Sequence, residues 1–358
     1  MKGLCGITAQ AFFVAVTVVP QPQTVLAEGQ TGGFIMQDQT NWGILGGSNF
    51  AANLMGPAIH AAKGARLLGL ATSSPDKAGR FTAFSPDCAI FDSYDALLAS
   101  PDIDAVYIPL PNHLHVEWSL KAIAAGKHVL CQKLMTLQAD EFSRLIEARD
   151  ASGLHVAEAF MIVHHPQFLR ARALLKSGAI GALRHVDTVF TYFNDDPDNI
   201  RNQAGAGGGG LPDIGVYTFG SVRFVTEEEP VRVPYARIDF EEGVDNFVQM
   251  AADFATFTYS AVVSMRAFPR QEIVFHGDKG IMRLTCPFNS DVHDQAEIHV
   301  ETAGKTVCVE RFPGVNQYVL QVEAFGKTLR YNKPYACPLE FSRGTQQMID
   351  MTYAAARD

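Results

Sequence analysis

The run Gly46-Gly47-Ser48-Asn49-Phe50-Ala51 has residue types that let a backbone close on a phosphate. Set against G-x-G-x-x-G, it offers Gly46, Ser48 and Ala51, small residues where a strand-to-helix turn must bring N–H groups against a pyrophosphate. A tight turn without a ligand uses the same residues, so the run alone leaves both readings open. The next cluster is Ala71-Thr72-Ser73-Ser74-Pro75-Asp76-Lys77. An NAD-selective site would place a carboxylate here for the adenosine ribose hydroxyls. Thr72 and Ser73, with Lys77 one turn on, instead suit a 2′-phosphate, so NADP is expected, with NAD as the second possibility. A helix N-cap followed by a solvated lysine is written with the same letters.

Three further clusters carry polar groups: Pro109-Leu110-Pro111-Asn112-His113-Leu114-His115, Cys131-Gln132-Lys133-Leu134, and Glu158. Pro109, Pro111, Asn112, His115, Gln132 and Lys133 join the expected cofactor wall, because each lies at a strand carboxyl end, where open α/β sheets bind ligands. The H-x-H pair and the adjacent His164-His165 have no thiolate or carboxylate motif to complete a metal site. They read as loop and cap residues, and no metal is expected.

Such clusters need strands that end side by side. Apolar runs at 42–46, 66–71, 105–108, 128–131 and 154–158 read as strands. They alternate with helical patterns at 51–62, 75–83, 94–99, 114–125 and 137–151. That alternation predicts βαβ crossovers and a parallel sheet. Beyond about 160 a helix at 166–177, a strand at 184–192 and a helix at 211–225 lead into mostly alternating β pattern over 231–309. A largely antiparallel sheet follows from it, with helices at 316–329 and 340–356 closing the chain.

Composition agrees with two domains. The 358 residues are 47% hydrophobic and 19% charged, and the net charge of -9 is spread without a basic run, which excludes a nucleic-acid footprint and a polybasic membrane anchor. The six cysteines stand singly, as free thiols in a reducing cytosol would. Residues 1–35 read as a leader or an over-called start: 1–27 have the outline of a secretory signal, and Met36 stands just before the first strand. A cytoplasmic protein is expected, periplasmic if 1–27 are a true signal.

Longer stretches resemble a known family. Ala105–Lys133, reading AVYIPLPNHLHVEWSLKAIAAGKHVLCQK, is similar to the segment of the Gfo/Idh/MocA oxidoreductases that ends in GKHVLCEKP. Glu158-Ala159-Phe160-Met161 with His165-Pro166-Gln167, Asn199-Ile200-Arg201, and the run from Gly207 to Tyr217 resemble the branch holding D-xylose dehydrogenases, dimeric dihydrodiol dehydrogenases and glucose-fructose oxidoreductase. The likeness runs from about Trp42 to the C-terminus. It implies an N-terminal Rossmann domain at 36–160 and an α+β domain with a large, mainly antiparallel open sheet at 161–358, which binds substrate and pairs two copies into a homodimer.

The resemblance also assigns roles. Lys133, Asp213 and Tyr217 would surround the reacting sugar carbon, with Tyr217 removing the hydroxyl proton, Lys133 lowering the Tyr217 pKa, and Asp213 orienting the sugar. Asp213 and Tyr217 stand four apart in a helical run and so share a face. Three residues depart from the family pattern: Gln132 replaces a glutamate, Leu134 a proline, and Val163 an arginine. The expected activity is NADP-dependent hydride transfer with an aldose hydroxyl. The alternatives are oxidation of a trans-dihydrodiol, reduction of a sugar carbonyl, and a weakened protein that senses NADP(H).

Overall fold

The computed structural model describes residues 39–290 and 293–357; the leader expected at 1–27 lies outside them. Six strands form the first sheet: β1 (Thr40–Leu45), β2 (Ala65–Ala71), β3 (Ala89–Phe91), β4 (Ala105–Ile108), β5 (His128–Gln132) and β6 (Val156–Ala159). All pair in parallel, in the order β3-β2-β1-β4-β5-β6. Every residue of β4 and β6 is buried, as expected of strands covered on both faces, and this is why they read as unbroken apolar runs. Strand β3 was missed by the periodicity, because three residues are too few to show one.

The connecting helices are α1 (Gly56–Ala61), α2 (Pro75–Thr82), α3 (Tyr94–Ala99), α4 (His115–Ala124) and α5 (Phe142–Ser152). A π turn, Ala51–Met55, precedes α1. The strand order reverses between β1 and β4, opening a crevice at their carboxyl ends. Gly46 and Pro109 both follow those ends.

After α6 (Pro166–Lys176) the chain enters a second sheet. Strand β7 (Leu183–Phe193) leads to a π turn, Leu211–Gly215, that runs into α7 (Val216–Thr226). Strands β8 (Pro230–Glu241), β9 (Val244–Phe254), β10 (Thr258–Ser264), β11 (Arg266–Gly277), β12 (Gly280–Thr285), β13 (Glu297–Thr302) and β14 (Thr306–Arg311) complete it. The order is β14-β13-β12-β11-β7-β10-β9-β8. Only β7 and β10 pair in parallel, so the sheet is mainly antiparallel, as the alternation predicts.

Its covered face takes the apolar side chains of each alternating strand, among them Val186, Val248, Ile273 and Phe275, all fully buried. The other face leaves Tyr235 of β8 exposed, while the exposed Phe240 pairs with Asp245 and lies on the α9 side. Helices α8 (Gln317–Tyr331) and α9 (Leu339–Ala355) return to the first sheet. Phe325 of α8 packs on Trp42 of β1, and α9 runs against β8, α7 and α5. Among the described residues, no helix is long and apolar enough to cross a membrane.

Candidate active site

The crevice begins at the turn after β1. Gly46 has φ +101°, a conformation L side chains rarely adopt, and its N–H bonds to the Ala71 carbonyl at 3.0 Å. Ser48 Oγ accepts from Ala51 N at 3.1 Å, starting the helical turn. Beside it lies a cavity of about 530 Å³, walled by Gly46, Thr72, Ser73, Lys77, Pro109 and Pro111. A second cavity of about 410 Å³ shares Ser48 and Pro109 with the first, and adds Asn49, Phe50, Asn112, Gln132 and Lys133. Together they make a trough along the carboxyl ends of the strands, in the size range of ligand clefts.

All the cofactor residues expected from the sequence line this trough except two. Ala51 is fully buried behind the turn. His115 is fully buried as well, with its ring nitrogens 2.7 Å from the Leu110 and Leu134 carbonyl oxygens, so its side chain fastens two loops instead of facing a ligand. Burial lowers its pKa to about 4. The cap at α2 belongs to Ser74, whose Oγ accepts from Lys77 N, and this leaves the exposed Lys77 side chain beside Gly47 at the cavity wall. His165 also serves as a cap, its Nδ1 accepting from Gln167 N at 3.1 Å.

At the far end of the trough, residues 80 apart in the chain meet. Lys133 Nζ donates to Asp213 Oδ1 at 2.8 Å and to the Asp213 carbonyl at 2.5 Å. Two partners absent from the sequence expectations complete the carboxylate: Arg201 Nε stands 2.9 Å from Oδ1, and Tyr192 OH donates to Oδ2 at 2.7 Å. Burial works to raise the Asp213 pKa, but the Arg201 guanidinium and the Lys133 ammonium outweigh it and hold the carboxyl well below its usual range. Burial lowers the Lys133 pKa, opposed by Asp213. Arg201 had a signal in the Asn199-Ile200-Arg201 run; Tyr192, inside a strand pattern, had none.

Tyr217 lines a third cavity of about 380 Å³ with Lys133, Tyr192, Asp213 and Tyr318. Its ring packs among Phe160, Phe190 and Phe288. The Lys133 ammonium sits 5.1 Å over the ring centre, not at the hydroxyl, which donates to Met161 Sδ at 3.6 Å. Here the sequence expectation needs correction. Burial raises the Tyr217 pKa well above that of a free phenol, with Tyr318 and Asp213 adding to the rise and Arg201 opposing it. The group is therefore held neutral, a donor by default.

The three departures land differently. Gln132 Oε1 accepts from Tyr107 OH at 2.9 Å. Leu134 is buried, and with proline absent Lys133 still reaches Asp213. Val163 is fully buried, away from the cavities, so it removes no contact there.

Comparison with known proteins bears on this geometry. Residues 40–160 match the model of an oxidoreductase family with an NAD-binding Rossmann fold, and residues 168–283 match the GFO/IDH/MocA C-terminal domain. An uncharacterised oxidoreductase of Rhizobium meliloti is 36% identical over 89% of this chain and 97% of its own. An NADP(+) D-xylose 1-dehydrogenase of Haloferax volcanii is 31% identical over 88% and 97%. Among solved structures, KijD10, a 3-ketoreductase from Actinomadura kijaniata in complex with NADP and TDP-benzene, superposes with a TM-score of 0.81 at 28% identity, covering 88% of this chain and 98% of its own.

Proposed function

The chain belongs to the Gfo/Idh/MocA oxidoreductases, and from that membership we propose that it is an NADP-dependent enzyme moving a hydride between a sugar carbon and the nicotinamide. The observation that carries the reading is the contact of Lys133 with Asp213 at the end of a trough that starts at the Gly46 turn. Residues 36–160 hold the cofactor and 161–358 hold the substrate.

The donor set fits the cofactor. The Gly46 turn and the helix start after Ser48 would offer backbone N–H groups to a pyrophosphate. Thr72, Ser73 and Lys77 would receive a 2′-phosphate, and among the described residues no carboxylate pairs with Lys77. When bound, the nicotinamide supplies or accepts the hydride. This chain's own residues manage the sugar oxygen. Lys133 donates to it from a fixed position, and Asp213, itself fixed by Arg201 and Tyr192, holds the ammonium and accepts a neighbouring sugar hydroxyl. Tyr217, neutral because it is buried, gives the proton to the sugar oxygen in reduction; in oxidation it must first release its own proton before it can take the one from the sugar hydroxyl. The aromatic walls of Phe50, Tyr192 and Tyr318 offer apolar faces to a sugar ring.

The relatives support the same roles. KijD10 has also been solved with a lysine replaced by alanine and with a tyrosine replaced by phenylalanine. Those two positions are separated by as many residues as Lys133 and Tyr217 are here.

A panel of aldoses and diols, offered with NADP and with NAD and followed at the nicotinamide absorbance, tests the function; tight NADPH binding with no turnover would make the protein a sensor. Tyr217→Phe keeps the ring stack and removes one hydroxyl. It is expected to cut kcat about 100-fold with NADPH affinity unchanged, and undiminished turnover would remove Tyr217 from the proton path. Lys77→Ala is expected to weaken NADPH binding about tenfold and leave NADH binding alone, read by fluorescence titration. Equal losses for both would refute the 2′-phosphate contact.

We also assign the open face of the second sheet, with the exposed Tyr235 of β8, to pairing with a second copy; sedimentation that finds only monomer would reject it. Cytoplasmic residence is the corresponding location, where the exposed thiol of Cys308 stays reduced. Cell fractionation that recovers the protein only outside the cytoplasm would contradict it.

A further inference from the structure

Asp245, at the start of β9, belongs to none of the groups discussed above, yet it is 1% exposed and carries a carboxylate. Such a group stays buried only if its oxygens are bonded. One oxygen, Oδ2, accepts from Leu211 N at 2.6 Å, at the first amides of the helical run that carries Asp213 and Tyr217. The other, Oδ1, accepts from Tyr353 OH of α9 at 2.6 Å.

The glycine run makes this approach possible. Gly209 has φ +134°, and a Cβ there would stand 2.2 Å from Asp245 Oδ1. On its other side the same run meets the site, since Gly209 N donates to the Arg201 carbonyl at 2.9 Å and Asp213 N to the Gly209 carbonyl at 3.0 Å. The loop is thus gripped from behind by Asp245 and from the front by the segment that supplies Arg201.

We propose that Asp245 is a positioning residue: by holding the first amides of the Leu211–Thr226 helical run, and itself held by Tyr353, it sets Asp213 and Tyr217 at the reacting centre. The proposal rests on the site reading above. It touches neither sugar nor cofactor, and acts through backbone. A helix start displaced by an ångström would carry the Asp213 carboxylate off the Lys133 ammonium, and errors of that size cost catalysis heavily.

Charge is part of the anchor. Burial pushes the Asp245 pKa up to about 6, against the bonds from Tyr353 and Leu211 that pull it down. The other ionisable groups lining the cavity behind the loop are Tyr353 and Asp350 of α9 and Arg357 just beyond it.

The test compares Asp245→Asn and Tyr353→Phe with the wild-type full chain. In Asp245→Asn, amide hydrogen exchange over 207–217 is expected to speed about tenfold, while the strands of the first sheet keep their protection. The kcat for sugar turnover is expected to fall at least about tenfold with NADPH affinity within twofold. An acidic limb of kcat near pH 6 in the wild type should move to higher pH in Tyr353→Phe, which loses a bond that holds the Asp245 pKa down, and should vanish in Asp245→Asn. A structural role alone would not move that limb. Unchanged exchange in Asp245→Asn, or faster exchange at wild-type kcat, would overturn the proposal. If the wild type turns over no sugar, the function reading fails by itself, and the exchange arm still decides whether Asp245 holds the helix.

Discussion

Lys133→Met is expected to lower kcat/KM for the sugar about 1,000-fold while NADPH affinity changes less than threefold. Methionine keeps the length and the apolar stem, so the substitution removes a charge and three donors and little else. What is lost is the group fixed on Asp213 at 2.8 Å and lining the cavity it shares with Tyr217. Most of the proposed cofactor wall lies on the Gly46 turn and the ends of β2 and β4, which the substitution leaves alone. Stability should change little, because Asp213 keeps Arg201 and Tyr192 as partners. Lys133→Arg should not restore the rate, since a planar fork does not fit where a compact ammonium points. Steady-state kinetics and a cofactor titration decide the matter. A Lys133→Met enzyme retaining more than a tenth of wild-type kcat/KM would place the chemistry elsewhere.

Asp213→Ala should cost both activity and fold. It leaves the buried Lys133 and the neighbouring Arg201 with no anion between them, which is expected to destabilise the protein by about 3 kcal/mol. Asp213→Asn, which keeps the shape and one acceptor, should cost less. The pH dependence has a definite sign. The folded carboxyl titrates well below its ordinary value of 3.8 because Arg201 and Lys133 overcome the effect of burial. Its contribution is therefore fully present above pH 3.8 and is lost as pH falls through the depressed folded value. Denaturant melts of wild type and Asp213→Asn at a series of pH values should converge under acid conditions. A stability gap that widens on acidification would mean the carboxyl is not held ionised.

The letters of the chain determined five of the six strands of the first sheet and the place of the glycine turn after β1. Those depend on short-range causes: the apolar runs of doubly covered strands, a glycine that must turn at 46, a serine that must cap at 74. The family likeness then picked out Lys133, Asp213 and Tyr217, which the fold brings around one cavity. Strand β8 was blurred in the sequence because it lies at the sheet edge with one face open, where side-chain alternation is weakly enforced.

Only tertiary structure decided what each group can do. That Lys133 finds Asp213, that Tyr192 and Arg201 share the same carboxylate, and that Asp245 reaches the helix from behind are contacts between distant segments. The protonation of Tyr217 follows from the rings packed around it, and the burial of His115 from the two loops it joins. Periodicity and turn chemistry are read over a few residues. The cost of desolvating a charge is set by whatever the rest of the chain folds against it, and no local stretch of sequence records that.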